Sequence, residues 1–143
     1  MDNQKKTAII TGSNRGIGKE FVKTFAHAGY DIYACARKQD ESFETFLSSL
    51  SADCEVEIKP VYFDLNSEEA IKEGMKSVFA DKKKIDVLIN NAGVAFGGLF
   101  TMTSLDKLKE VYQVNVFAQV QLMQLVSRVM MRQKSGCIIN MCS

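Results

Sequence analysis

The sequence predicts an α/β fold in which a doubly wound parallel sheet of five strands carries helices on both faces. Short, nearly continuous apolar segments alternate along the chain with longer segments whose apolar residues recur at helical spacing, and this alternation is typical of βαβ units. Strands that are apolar throughout suit burial on both sides of a parallel sheet. The 143 residues, 46% of them hydrophobic, suffice for one domain but not for two of ordinary size. We therefore expect residues 1–143 to form a single domain.

The first βαβ unit is predicted from residues 7–36. Residues 7–11 form a short apolar strand, and residues 16–28 form a helix because their apolar side chains recur at helical spacing. Gly29 is expected to end this helix, as glycine commonly does just beyond a helix C-terminus. Residues 32–36 are then the second strand.

The next elements continue the same alternation. Residues 41–50 place their apolar side chains on one side of a helix, and residues 56–63 form a third strand. Asn66 or Ser67 is suited to cap the N-terminus of the following helix. Residues 85–90 are the fourth strand.

A long helical stretch precedes the fifth strand. Ser104 is its expected N-cap, and the stretch runs to about Gln133 before the chain enters strand 137–141. The apolar residues between 116 and 131 are too many for a single stripe that faces the sheet. We expect a partner subunit or a further chain segment to cover the second side, with the 104–133 helix joining copies in a homo-oligomer. A merely apolar surface is the alternative.

Charge and composition exclude several classes of function. Lys and Arg total 18 against 17 Asp and Glu, a net charge of +1, so we expect neither nucleic acid nor a membrane as a partner. Residues 1–6 are polar and lack the apolar core of a signal peptide, so we expect a cytoplasmic location. His27 is the single histidine, and the four cysteines form no C-x-x-C pair. We therefore expect buried reduced thiols and no metal site.

A glycine-rich turn links the first strand to the first helix. It reads Thr11-Gly12-Ser13-Asn14-Arg15-Gly16-Ile17-Gly18. Glycines let the backbone turn tightly and approach a diphosphate, while the helix N-terminus offers unpaired N–H groups and the positive end of its dipole. A tight turn that binds no ligand is the alternative for this motif taken alone.

Two further features have a physical interpretation of their own. The amides of Asn90 and Asn91 can tie the end of the fourth strand to adjacent loops, and the small Ala92 and Gly93 leave space for a flat ligand. Asn115 lies within a helix among apolar neighbours, where asparagine is unfavourable and competes for backbone hydrogen bonds. We expect a local kink there, and a tolerated polar residue on an exposed face is the alternative.

These motifs together resemble the short-chain dehydrogenase/reductase family. The family's TGxxxGIG turn matches residues 11–18, and its NNAG motif matches residues 90–93. Its acidic residue after the third strand matches Asp64, its helix asparagine matches Asn115, and its serine after the fifth strand matches Ser143. The resemblance extends over essentially the whole chain. It implies a Rossmann-type sheet with strand order 3-2-1-4-5, and C-terminal elements of the full family fold beyond residue 143.

The resemblance also assigns roles to residues. The implied cofactor-binding residues are Gly12, Ser13, Asn14, Arg15, Gly16, Ile17, Gly18, Arg37, Asp64, Leu65, Asn91, Ala92 and Gly93. Asp64 would accept a hydrogen bond from the adenine amine, although its position beside Asn66 and Ser67 also suits a helix cap. Ser143 would bind the substrate oxygen, and Asn115 would hold a water in a proton relay.

The residues after the second strand favour NADP(H) over NAD(H). An acidic side chain at this point binds the ribose hydroxyls of the adenosine and repels a 2′-phosphate. Ala36 takes that position here, and Arg37 follows with a guanidinium suited to bidentate phosphate binding. Arg15 can approach the same phosphate. Ordinary solvated loop charges at Arg37 and Lys38 are the alternative.

The activity implied by the resemblance is hydride transfer between NADP(H) and a carbonyl or alcohol carbon of a small-molecule substrate. In the family, a tyrosine exchanges the proton and a lysine four positions later lowers its pKa. No tyrosine of this sequence has a lysine at that spacing, so only Ser143 and Asn115 are assigned as catalytic residues. We therefore expect the 143 residues to be part of a longer reductase and inactive by themselves.

The substrate is predicted from family analogy alone. That analogy favours a 3-oxoacyl-[acyl-carrier-protein] reductase, whose partner is an acyl-carrier-protein thioester. A noncatalytic nucleotide-binding or interaction module that has dispensed with the proton donor is the alternative function.

Overall fold

A five-stranded parallel sheet forms the centre of the protein in a computed structural model that describes residues 4–142. The strands are β1 (Thr7–Ile10), β2 (Asp31–Ala36), β3 (Ile58–Tyr62), β4 (Val87–Asn90) and β5 (Cys137–Asn140). Their order across the sheet is β3-β2-β1-β4-β5, and every neighbouring pair is parallel. The predicted fold class and the strand order 3-2-1-4-5 are confirmed.

Helices connect the strands in the predicted order. They are α1 (Gly16–His27), α2 (Glu41–Cys54), α3 (Glu68–Ala80), α4 (Leu105–Tyr112) and α5 (Ala118–Gln133). Helix α2 continues past the predicted end at residue 50. A short 3₁₀ turn at Phe100–Met102 precedes α4, and no pattern in the sequence predicts it.

The helices cover both faces of the sheet, because alternate residues of each strand point to opposite sides. Ile10 of β1 packs in one core with Val22 of α1 and residues of α2. Ile9 of the same strand packs in the other core with Ile71 of α3 and Leu122 of α5. Each of these side chains is fully buried or nearly so, and such burial contributes about 1.5–3 kcal/mol per side chain.

Two helix ends are fixed by residues that the sequence singles out. The Ser67 hydroxyl accepts from the N–H of Ala70 at 3.1 Å, so Ser67 rather than Asn66 caps α3. Gly29 follows α1 with a φ of +86°, and its N–H donates to the carbonyl of Ala26 at 2.9 Å. The predicted glycine end of α1 is confirmed.

The predicted continuous helix over residues 104–133 is interrupted. Ser104 caps α4 as expected, its hydroxyl accepting from the N–H of Lys107 at 3.2 Å. Between α4 and α5, however, Gln113–Phe117 form a π-helical segment. Such segments are rare and often lie at functional sites. Asn115 stands in the middle of this one, at the position where the sequence predicts a kink.

The face of α4 and α5 that points away from the sheet is rich in exposed apolar side chains. Their sheet-facing side is a buried stripe of residues four positions apart: Val114, Ala118, Leu122, Val126 and Met130. On other sides the exposed large apolar residues are Leu105, Tyr112, Val116, Phe117, Val120 and Met131. The stretch therefore has more apolar surface than the sheet covers, as predicted. Within residues 4–142, no helix is both long enough and apolar enough to cross a membrane.

The cysteines differ from their predicted burial. Cys35 is buried in β2, and burial raises the pKa of its thiol to about 12. Cys54 is half-buried, whereas Cys137 and Cys142 are exposed. For this last pair the predicted burial is not observed: Cys137 begins β5 and Cys142 follows it, and within the described residues β5 has a neighbouring strand on one side only. All four are free thiols, and among the described residues no three His, Cys, Asp or Glu side chains are grouped to hold a metal ion.

Candidate functional site

An open cavity of about 460 Å³ lies at the carboxyl ends of the strands. Its walls come from the turn after β1, from the residues that follow β2, β3 and β4, and from α4 and the π-helical segment. The chain builds the sheet outward from β1 in both directions, with β2 on one side and β4 on the other. The carboxyl ends of β1 and β4 therefore lie at the topological switch point, where open α/β sheets bind their ligands.

Most of the residues predicted to bind a cofactor line this cavity. They are Gly12, Asn14, Arg15, Gly16, Ile17, Arg37, Asp64, Leu65, Asn91, Ala92 and Gly93. Ser13 does not line it, because its side chain is buried and its hydroxyl donates to the carbonyl of Ile10 at 2.6 Å. Gly18 is likewise buried, within the first turn of α1. Both residues therefore shape the turn rather than the cavity wall, and their predicted part in cofactor binding stays a prediction.

The glycine turn passes very close to the loop after β4. Gly12 and Gly16 have φ values of +65° and +57°, a left-handed conformation that favours glycine. A Cβ atom on Gly12 would lie 3.0 Å from the Cα of Ala92. A Cβ atom on Gly18 would lie 1.9 Å from the carbonyl oxygen of Gly12. Side chains at these positions would push the turn away from its neighbours.

The N-terminus of α1 opens into the cavity without a side-chain cap. Arg15 occupies the N-cap position in an extended conformation, and its side chain makes no capping hydrogen bond. Gly16 and Ile17, the first helical residues, line the cavity, and the first turn contains no acidic residue. The unpaired N–H groups and the positive end of the helix dipole favour an anion at this position.

Thr11 and Asn91 join the loops after β1 and β4 beneath the cavity. The Thr11 hydroxyl oxygen accepts from the N–H groups of Asn91 and Ala92, each at 3.0 Å. In return, the Asn91 amide donates to the carbonyl of Thr11 at 3.2 Å and to that of Gly12 at 3.4 Å. The prediction that the asparagine amides tie this strand end to an adjacent loop is confirmed for Asn91. The Asn90 amide instead donates to Oδ1 of Asn140 in β5, at 2.9 Å.

Asn115 joins the π-helical segment to the cavity wall. Its Oδ1 accepts from the N–H of Val94 at 2.8 Å, and its Nδ2 donates to the carbonyl of Val94 at 2.8 Å. The side chain is therefore not a tolerated polar group on an exposed face. The proton-relay role of Asn115 stays a prediction, and Ser143 lies outside the described residues.

Arg37 and Asp64 face each other at the ends of β2 and β3. The distance from Arg37 Nε to Asp64 Oδ2 is 3.7 Å. Asp64 Oδ1 accepts from the N–H of Asn66 at 2.9 Å. Asp64 therefore closes a local turn and does not cap α3. The N-cap of α3 is Ser67.

Five residues of the cavity wall are not predicted from the sequence: Phe63, Asn66, Val94, Glu110 and Val114. Phe63, Asn66 and Val94 are direct or near neighbours of predicted residues, and only the folded backbone decides which of them reach the cavity. Glu110 and Val114 are four positions apart and share a helix face. Their closeness to Asn115 in the sequence is the one signal that pointed to them.

Comparison with known proteins places the chain in a family. Residues 6–143 match the family model described as short chain dehydrogenase. The chain belongs to the short-chain dehydrogenase family. It is 30% identical to an acetoacetyl-CoA reductase of an Acinetobacter strain, over 99% of this chain and 57% of that protein. It is 29% identical to a 3-oxoacyl-[acyl-carrier-protein] reductase of Staphylococcus epidermidis, over 96% of this chain and 56% of that protein.

Solved structures of other short-chain dehydrogenases share the fold. The L-sorbose reductase of Gluconobacter frateurii, complexed with NADPH and L-sorbose, matches with a TM-score of 0.89 at 28% identity. The match covers 96% of this chain and 52% of that structure. This short-chain dehydrogenase chain thus spans about half the length of the relatives it matches.

Proposed function

We propose that the whole protein is an oxidoreductase that transfers a hydride between NADP(H) and a carbonyl or alcohol carbon of a small molecule. The observation that carries the proposal is a single cavity lined by the uncapped start of α1 and by the cations Arg15 and Arg37. N–H groups at a helix start suit a diphosphate, and a guanidinium suits an additional phosphate. The NADPH complex of the sorbose reductase, which shares the fold, supports this assignment.

The residues of the cavity fit a dinucleotide. The close approach at Gly12 and the open space around Gly16, where a Cβ would meet nothing within 4 Å, leave the backbone accessible to a diphosphate. Arg37 and Asp64 would hold the adenosine end. Ala92 and Gly93 present little side-chain bulk beside the turn. When bound, a reduced nicotinamide supplies a hydride to the carbonyl carbon, and a proton must reach the carbonyl oxygen to give the alcohol.

The chain's own residues would bind and orient these groups. Asn91 and Thr11 fix the distance between the turn and the loop after β4. Asn115 fixes the following loop through Val94. Preorganised positioning of this kind lowers the barrier to a transfer reaction.

A 3-oxoacyl thioester is the substrate class we propose to test first. Two relatives, at 30% and 29% identity, are an acetoacetyl-CoA reductase and a 3-oxoacyl-[acyl-carrier-protein] reductase. Oxidation of NADPH by the whole protein on addition of acetoacetyl-CoA would support the proposal. Binding of NADPH without turnover of any carbonyl compound would favour the noncatalytic nucleotide-binding module instead.

We also propose that copies of the protein associate through residues 104–133. The exposed apolar side chains of α4 and α5 support this proposal, because a contiguous apolar patch commonly marks an interface.

The cofactor assignment predicts a selective effect of Arg37→Asp. Loss of charge-assisted hydrogen bonds to a 2′-phosphate should weaken NADPH binding by roughly tenfold or more, with little change for NADH. Nicotinamide fluorescence titrations of the whole protein measure both dissociation constants. Lys38→Asp is the matched control, since Lys38 is exposed but does not line the cavity. Equal losses for the two cofactors in Arg37→Asp would end the NADP(H) assignment.

A further inference from the structure

The carboxylate of Asp64 lies next to Arg37, although β2 itself ends at Ala36 and not at an acidic residue. Ala36 pairs with Tyr62 in the parallel register of β2 and β3, and the N–H of Phe63 donates to the carbonyl of Ala36 at 3.1 Å. This register brings the residues that follow the two strands side by side. As a result, Arg37 Nε lies 3.7 Å from Asp64 Oδ2, and both side chains line the cavity.

The Asp64 carboxylate is held in the orientation that faces Arg37. One oxygen, Oδ1, accepts from the N–H of Asn66 at 2.9 Å, and the carbonyl of Asp64 accepts from the N–H of Ser67 at 3.1 Å. The other oxygen is then directed toward the guanidinium. The side chains of Arg37 and Asp64 remain 66% and 40% exposed, so an entering ligand can reach both.

We propose that Asp64 reduces the preference of this protein for NADP(H) by competing with the 2′-phosphate for Arg37. This inference rests on the proposed function. A guanidinium that moves from a carboxylate to a phosphate loses one ion-pair partner as it gains a charge-assisted hydrogen bond. NADH carries no such phosphate, so its binding does not require the Arg37–Asp64 pair to separate. Asp64 therefore lowers the preference for NADPH without opposing NADH.

The size of the effect follows from the geometry of the pair. At 3.7 Å and with both side chains well exposed, the ion pair belongs to the class that contributes little to stability. Releasing Arg37 from it should therefore change the ratio of the two dissociation constants by about two- to fivefold.

Asp64→Asn tests the competition. The amide keeps the shape of the side chain, and its oxygen can still accept from the N–H of Asn66, but the charge opposite Arg37 is lost. In nicotinamide fluorescence titrations of the whole protein, the ratio of Kd for NADH to Kd for NADPH should rise about two- to fivefold. Asp53→Asn is the matched control, because Asp53 is an exposed acid on α2 that does not line the cavity, and it should leave the ratio unchanged.

A double-mutant cycle separates competition from simple repulsion between Asp64 and the phosphate. In an Arg37→Ala background, competition predicts that Asp64→Asn no longer raises the ratio. The same rise in both backgrounds would overturn the inference, since the carboxylate would then act on the phosphate directly. An unchanged or lower ratio in the single variant would overturn it as well. Failure of the parent protein to bind either cofactor would instead reject the proposed function.

Discussion

At the scale of single residues, three groups meet where the turn after β1, helix α1 and the loop after β4 come together. A Cβ atom on Gly18 would lie 1.9 Å from the carbonyl oxygen of Gly12 and 2.6 Å from Nδ2 of Asn91. Neither neighbour is free to move, because the Asn91 amide itself donates to the carbonyls of Thr11 and Gly12. The absence of a side chain at Gly18 is therefore what allows α1 to start this close to β4.

Gly18→Ala should destabilise the protein and weaken nucleotide binding together. Overpacking against backbone atoms costs about 1–3 kcal/mol, and relief of the contact must displace the turn. We expect urea unfolding to show a loss in this range, and NADPH titration to show weaker binding. Gly97→Ala is the matched control, since a Cβ there would meet nothing within 4 Å. Equal stability of the two variants would contradict the close packing at Gly18.

At the scale of elements, the sequence predicts what local patterns control and misses what distant contacts control. The five strands follow from short apolar runs, and the caps at Ser67 and Ser104 follow from residue type. The π-helical segment could not be predicted as such, because Asn115 is held there by both backbone groups of Val94, 21 residues earlier in the chain. The sequence could indicate only that asparagine is unfavourable within this helix and that a local kink was to be expected there.

The same distinction explains the candidate site. Arg37, Asp64 and Ala92 could be predicted because each lies within two residues of the end of a strand, and the carboxyl ends of parallel strands meet at one edge of the sheet. Glu110 belongs to a helix whose position over that edge depends on packing. The pairing of Arg37 with Asp64 also depends on the register of β2 and β3, which no local pattern reveals.

The helical face proposed as an interface has a test at this scale. Phe117 is 60% exposed and lies beside other exposed apolar side chains, including Tyr112. A charge at position 117 should leave folding intact. If self-association buries this side chain, the charge should weaken the association by about 2 kcal/mol or more, which raises the dissociation constant roughly thirtyfold. Light scattering should show a multiple of the chain mass for the parent protein and a shift toward the monomer for Phe117→Asp.

A matched variant controls for added negative charge. Ala52 is exposed on α2, which packs on the opposite face of the sheet from α5, so Ala52→Asp should keep the mass of the parent. The interface proposal would be rejected by a monomeric parent, or by a Phe117→Asp protein whose mass does not change.

At the scale of the whole molecule, a charge network holds the edge of the sheet opposite the cavity. Lys83 lies 2.7 Å from Glu57 and 3.2 Å from Asp31. Lys59 lies 3.2 Å from Glu57 and 2.9 Å from Asp81. The network thus links the starts of β2 and β3 to the end of α3, and its stability contribution should depend on pH.

The acid side of this dependence follows from two carboxylates. Hydrogen bonds from Lys83 and then Lys59 hold the pKa of Glu57 below its ordinary value of 4.5. Hydrogen bonds from Tyr33 and then Lys59 hold the pKa of Asp81 below 3.8. A depressed folded-state pKa gives stability that is present above the ordinary value and is lost as the pH falls through the folded one. The free energy of unfolding should therefore decrease below about pH 4.5.

The alkaline side identifies Tyr33 as the group to change. Burial, together with the 2.6 Å hydrogen bond that its hydroxyl donates to Asp81, raises the pKa of Tyr33 well above its ordinary value of 10.0. A raised pKa gives stability that is complete below the ordinary value and is lost as the pH rises through the folded one. Tyr33→Phe should therefore lower stability at neutral pH but flatten its decline above about pH 10. Urea midpoints measured across this range would show it, with Tyr30→Phe as control. A decline of unchanged steepness in Tyr33→Phe would mean that the phenol of Tyr33 is not the group that couples this edge of the sheet to pH.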